Sequence, residues 1–194
     1  MTTTSTEFTA GAATKQTTAE TRWAIDASHS AITFKVRHLM ISNVRGSFQQ
    51  VSGEVVYDPR HPEKARVSAR IDVASITTNE EKRDAHLRSA DFFDVETYPT
   101  ITFVSKAFKP TGDGGELTGT LTIHGVEREV TLEVEELTSE GKDPWGNQRV
   151  GATAKTKILR SEFGMTFNAA LETGGIMIGD EIAIQIEVEL VKQA

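Results

Sequence analysis

From residue 30 onward the chain alternates apolar and polar side chains with a period of two. In SAITFKVRH (30–38), Ile32, Phe34 and Val36 alternate with Thr33, Lys35 and Arg37, the pattern of a half-buried strand. SFQQVSGEVVYD (47–58) follows and runs into the turn signal Asp58-Pro59. ARVSARIDV (65–73) sets Val67, Ala69, Ile71 and Val73 against Arg66, Ser68, Arg70 and Asp72. TITFVSKAFK (100–109) is apolar on both parities and rich in β-branched and aromatic residues. The glycine-rich turn at 111–115 leads into ELTGTLTIH (116–124), and His124-Gly125 predicts a tight hairpin into VEREVTLEVEEL (126–137). RVGATAKTKIL (149–159) and EIAIQIEVELVK (181–192) complete a set of eight strands.

One segment, TNEEKRDAHLRSA (78–90), predicts a helix. Thr78 stands three residues before Glu81 as in a capping box, and the interior holds helix formers. Shorter helical turns are expected at 39–46 and near 161–165. The remaining connections are short. An all-β meander of this kind disposes of its edges by closing on itself, and eight strands leave room for packed side chains or one small ligand. Strands of nine to twelve residues, rising ~3.3 Å per residue, make the barrel on the order of 30 Å tall. The fold class expected is therefore all-β: an extended eight-stranded antiparallel up-and-down barrel with one short helix at about 78–90.

Composition narrows what such a barrel could do. The 194 residues suit one domain with a tail. Residues 1–21, rich in Thr and Ala, are expected as a disordered tail, and 22–194 as the single domain. The net charge of −7 disfavours nucleic acid and electrostatic docking on anionic lipid. The absence of cysteine excludes disulfides, thiolate catalysis and thiolate metal sites. No run approaches a transmembrane length. The first 22 residues lack the apolar core of a secretory signal, so the expected location is cytoplasmic.

The candidate chemistry lies beside the helix. Arg83 and His86 share a helical face with Leu87, next to the aromatic stretch Phe92-Phe93. Two readings fit. In one, the pair holds a polar headgroup, Arg suiting phosphate through its planar fork. In the other it is a structural tie, with Arg83 on Asp84 or Asp91 and His86 on a carbonyl. His38 and Arg160 share strand parity with inward residues and could line the same mouth; a buried Arg160 needs a partner, and Asp91 or Asp94 could supply one. Wall candidates are Phe34, Val36, Phe48, Val55, Leu87, Phe92, Phe93, Phe103, Leu121, Phe163, Met165 and Phe167. The five histidines show no His-x-His or His-Glu-x-x-His spacing, so no metal site is expected. Nucleophile-elbow, P-loop and dinucleotide motifs are absent, and neither a catalytic residue nor a required cofactor is assigned.

Several motifs occur in a telling order: TRWAIDASHSAITFKVRHLMISNVRGSF, then RDAHLRSADFFDVETYPTITF, then LTGTLTIHGVEREVTLEV, then ILRSEFGM. Together they resemble the YceI-like family, the lipocalin-like polyisoprenoid-binding proteins, over residues about 22 to 192. The resemblance implies a lipocalin-like barrel whose apolar lumen takes an isoprenoid, quinone or fatty-chain lipid with its headgroup at the mouth. Arg83, His86, His38 and Arg160 would then meet the head. Many members are periplasmic and carry a signal segment, from which this sequence departs. The expectation is a lipid-binding or transport barrel, not an enzyme. The alternatives are a stress-related or protein-interaction barrel without ligand, and a hydrolase or isomerase using His86 as base. A seam between the first and last strands could support a homodimer.

Overall fold

The computed structural model describes residues 20–58, 60–170 and 176–193. The tail expected at 1–21 lies almost wholly outside the described residues, as does Pro59 of the expected turn. The strands are β1 (Thr21–Ile25), β2 (Ala31–His38), β3 (Ser42–Phe48), β4 (Val51–Tyr57), β5 (Arg66–Asp72), β6 (Ile76–Thr77), β7 (Thr100–Thr111), β8 (Gly114–Ile123), β9 (Val126–Leu137), β10 (Gly141–Lys142), β11 (Gln148–Leu159) and β12 (Ile178–Lys192). Among the described residues one α-helix, α1 (Glu81–Arg88), lies between β6 and β7.

Eight of these strands close into an up-and-down barrel in the order β1, β4, β5, β7, β8, β9, β11, β12, every pair antiparallel. The first and last strands pair through Trp23 with Lys192 and Ile25 with Leu190. The seam expected there is therefore hydrogen-bonded shut.

The strand expected at 30–38 is β2, and a further strand, β1, precedes it; a short 3-10 turn at Ala27–His29, whose Asp26 side chain accepts from Ser28 N, separates the two. β1 and β2 both lie along β12. The strand expected at 47–58 bends at Gln49-Gln50, where Ser75 Oγ accepts both backbone N–H groups at 3.1 Å. The bend lets Phe48 and Val51 both point inward, and both are buried.

The helical turn expected at 39–46 is instead a hairpin. Leu39 and Met40 both have positive φ, 51° and 61°, Ile41 N donates to His38 O, and β3 begins at Ser42. The turn has the type I′ pattern without Asn or Gly, so the usual sequence signal is missing. The expected His124-Gly125 hairpin is present, with φ of 52° and 73°. The turn near 161–165 is a 3-10 helix at Arg160–Phe163.

The inner face is uneven. On the β7–β8–β9 side Phe103, Phe108, Leu117, Leu121, Ile123 and Leu132 are buried in one core with Phe48, Val73, Ile76, Phe163 and Met165. Glycines on β3 and β8 lie beneath aromatic rings. A side-chain carbon on Gly46 would fall 2.4 Å from Cζ of Phe34, and one on Gly119 would fall 2.5 Å from Cζ of Phe103.

Candidate functional site

α1 follows the two-residue β6, which pairs with the end of β3. Its acidic N-cap is Glu80, which accepts from Lys82 N and Arg83 N at 3.2 and 2.7 Å. The expected capping box is not formed, because Thr78 is turned toward Asp84. The buried Asp84 carboxylate accepts from the Thr78 hydroxyl and backbone N–H and from the Thr77 hydroxyl. Burial pushes this carboxyl up, but the Thr78 and Thr77 donors and nearby Arg88 outweigh it and hold it below the ordinary range.

Arg83 Nε donates to Thr78 Oγ1 at 2.7 Å and its Nη2 to Thr78 O at 3.0 Å. Arg88 donates to the carbonyls of Ala74 and Ile76 at 2.9 and 2.7 Å. Three charges of RDAHLR thus fasten α1 to the segment 74–78. The tie on Arg83 runs to Thr78, not to Asp84 or Asp91. It is His86 that takes Asp91, its Nε2 lying 2.8 Å from Oδ2. The His86 ring stands edge-on between Phe92 and Phe167, with centroids 5.1 and 5.0 Å away.

Arg160 is 5% exposed. Its donors go to backbone carbonyls: Nε to Gly179 at 3.0 Å, and Nη1 to Met165 and Phe167 at 2.6 and 2.9 Å. Neither Asp91 nor Asp94 is its partner. Burial lowers the pKa of the guanidinium, with Asp180 opposing. Since Phe167 also packs on His86, Arg160 and His86 are joined through the loop at 165–167. His38 faces inward opposite Ile178, whose backbone N–H and C=O are both held by the Asn168 amide. Among the described residues, the His38 imidazole makes no hydrogen bond. Three of the four headgroup candidates are thus gathered at the start of β12, and Arg83 lies one helical turn before His86.

The wall candidates divide. Phe48, Phe92, Phe103, Leu121, Phe163 and Met165 are buried, whereas Phe34, Val36, Leu87 and Phe93 are partly exposed. Phe34, Phe48 and Phe93 form a row, with centroids 5.9 Å apart at each step. Ile182, Ile184 and Ile186 were not among the candidates, although their alternation signals an inner face. They pair with Val36, Phe34 and Ile32 on one side and with Ile158, Thr156 and Ala154 on the other. They pack against the core yet keep accessible surface. Hydrogen-bonded strands lie on both flanks, and the alternation sets these isoleucines on the face opposite Gln185 and Glu187.

A second polar cluster lies toward the other end of β12. Arg149 donates to Asp143 and Asp26 at 2.7 Å, and to Glu189. The donor atoms of Asp26, His29 and Glu189 come within 4.8 Å of one another, but the guanidinium already neutralises the two acids. The bond from Arg149 holds the Asp143 carboxyl well below the usual range. The hydrogen bonds of Ser28 and then Arg149 do the same for Asp26.

A closed antiparallel meander around an apolar interior, capped by one helix, is a lipocalin-like barrel. The chain belongs to the YceI-like family: the model of the YceI-like domain matches residues 23–190. It is 36% identical to protein YceI of Salmonella newport over 168 residues, 87% of this chain and 84% of that one. Among solved structures it is similar to Burkholderia cenocepacia BcnA, with a TM-score of 0.74, 26% identity, and coverage of 85% of this chain and 98% of that one. It also shares its fold with a polyisoprenoid-binding domain from Saccharophagus degradans, with a TM-score of 0.63 and 17% identity, covering 88% and 98% of the two chains. No helix among the described residues is long and apolar enough to cross a membrane.

Proposed function

We propose that the protein binds the apolar chain of an isoprenoid, quinone or related long-chain amphiphile in its barrel and carries it. The observation that supports this most directly is the partly exposed apolar face of β2 and β12 that carries Phe34, Val36, Ile182, Ile184 and Ile186. Covering about 500 Å² of chain would contribute ~12 kcal/mol gross at ~25 cal/mol per Å², of which ordering costs remove a large share. The polyisoprenoid-binding neighbour adds support at the level of fold.

The headgroup sits at the start of β12. His38 offers an imidazole with no other engagement among the described residues, and His86 offers the edge not turned to Asp91. Arg160 acts mainly by positioning, through the carbonyls of Met165 and Phe167. Arg83 already has two donors on Thr78, so its share of a phosphate falls to its remaining donors. The role is binding, and no bond-making step is assigned to His86.

The test is mass spectrometry of an organic extract from the full chain purified without detergent, followed by incubation with prenyl lipids. A stoichiometric lipid that is lost in Ile184→Trp supports the reading. A clean extract with no uptake overturns it, in favour of a filled barrel acting through its surface.

A further inference from the structure

The β2–β3 hairpin ends in an apolar tip that faces solvent. Leu39, Met40 and Ile41 are 36%, 52% and 78% exposed. Nothing about the turn favours these residues: Leu39 and Met40 occupy the left-handed region, which costs a bulky residue energy that Asn or Gly avoids. Just below the tip Lys35 stands directly opposite Arg45, a like-charge pair that weakens a hairpin. Arg37 lies two residues from Lys35 on the same face and wraps its guanidinium onto Met40 O at 3.1 and 2.7 Å.

Among the described residues these cations have no acid to answer them. Residues 27–53 contain no Asp or Glu, although the chain as a whole carries −7. On the neighbouring strand Glu181 is paired with Lys157 and Asp180 with Ser161. Among the described residues none of Lys35, Arg37 and Arg45 makes an ion pair. The tip also adjoins the mouth, since Leu39 N donates to Met177 O at 2.7 Å and His38 faces Ile178.

We infer that this hairpin is a docking finger for an anionic bilayer surface. The three apolar side chains enter the interfacial region, and Lys35, Arg37 and Arg45 meet the lipid headgroups, an arrangement that binds through apolar area and local positive charge together. The remaining, acidic surface is turned away from the membrane. The start of β12 is thereby held against the bilayer. The inference goes beyond lumen binding and stands without it, because an empty barrel would dock equally.

Flotation of the delipidated full chain with vesicles tests this. One set is pure phosphatidylcholine and the other contains about one third phosphatidylglycerol. Docking predicts at least tenfold stronger partition onto the anionic vesicles, weakened by salt as the field is screened. The double change K35Q/R45Q lowers that partition about 25-fold, roughly fivefold per charge. Ile41→Ser weakens it without altering the ordering between the two vesicles. Circular dichroism of each variant shows that the barrel is intact. Equal partition of the parent onto both vesicles, no partition, or variants that bind like the parent overturns the inference. So does a dimer in sedimentation that Ile41→Ser dissolves without any vesicle binding, which assigns the tip to a second copy of the chain. A lipid-free extract together with docking refutes the lumen reading alone.

Discussion

Two regions at the same end of the barrel treat cations and apolar side chains in opposite ways. Around α1 and Arg160 charges are satisfied locally, Asp84 and Arg160 in buried sites: Arg83, Asp84, Arg88 and Arg160 all end on backbone or hydroxyl partners. At the β2–β3 tip the charges stand in water without acids among the described residues, and the apolar residues are outermost. The first arrangement gives each of these charges a hydrogen-bond partner. The second accepts left-handed Leu39 and Met40 and a like-charge cross-strand pair, which points to selection for something other than stability.

Substitutions should separate the regions by size of effect. Arg160→Ala strands the carbonyls of Met165, Phe167 and Gly179 in a buried site, and a loss of about 3 kcal/mol or more is expected in urea unfolding. A loss below that of a surface change would undo the contrast.

Asp84→Ala should cost about 2 kcal/mol, because the Thr77 and Thr78 donors lose their acceptor. It also carries a pH signature. The folded pKa is depressed, so the stabilisation is complete above the ordinary carboxylate value of about 4 and is lost as pH falls through the folded value. Denaturant midpoints measured downward from neutral pH should fall more steeply below about pH 4 in the parent than in Asp84→Asn.

At the tip the sign reverses. The double change L39N/M40G gives the turn the residues its backbone demands and should stabilise by about 1 kcal/mol or more. Thermal unfolding would show it, and a fall in midpoint would mean that Leu39 and Met40 hold the hairpin together. Ile41→Ser should move stability by less than about 0.5 kcal/mol, which a denaturant titration can bound.

The barrel was legible where alternation was strict. Ile182 to Leu190 in β12, Val130 to Val134 in β9 and the His124-Gly125 turn each announced their element, and the family motifs agreed. What stayed hidden depended on backbone partners. Nothing in the sequence places the carbonyls of residues 165 and 167 around Arg160, because those carbonyls converge only when the loop folds. Thr78 read as a cap because its spacing to Glu81 fits one, but the buried Asp84 draws it away. The β2–β3 turn was misread because Leu-Met carries no turn chemistry.

The closure of β1 on β12 bears on how the chain can be rewired. Gln193 N donates to Arg22 O at 2.7 Å, so the two ends of the domain are neighbours, about the length of β12 away from the docking tip. A peptide joining those ends would cross little space, and new termini could be cut at Gly112-Asp113, where β7 turns into β8. Such a circular permutant should keep the barrel. A label or anchor inserted at the Arg22–Gln193 junction would sit opposite the mouth, leaving it free to load.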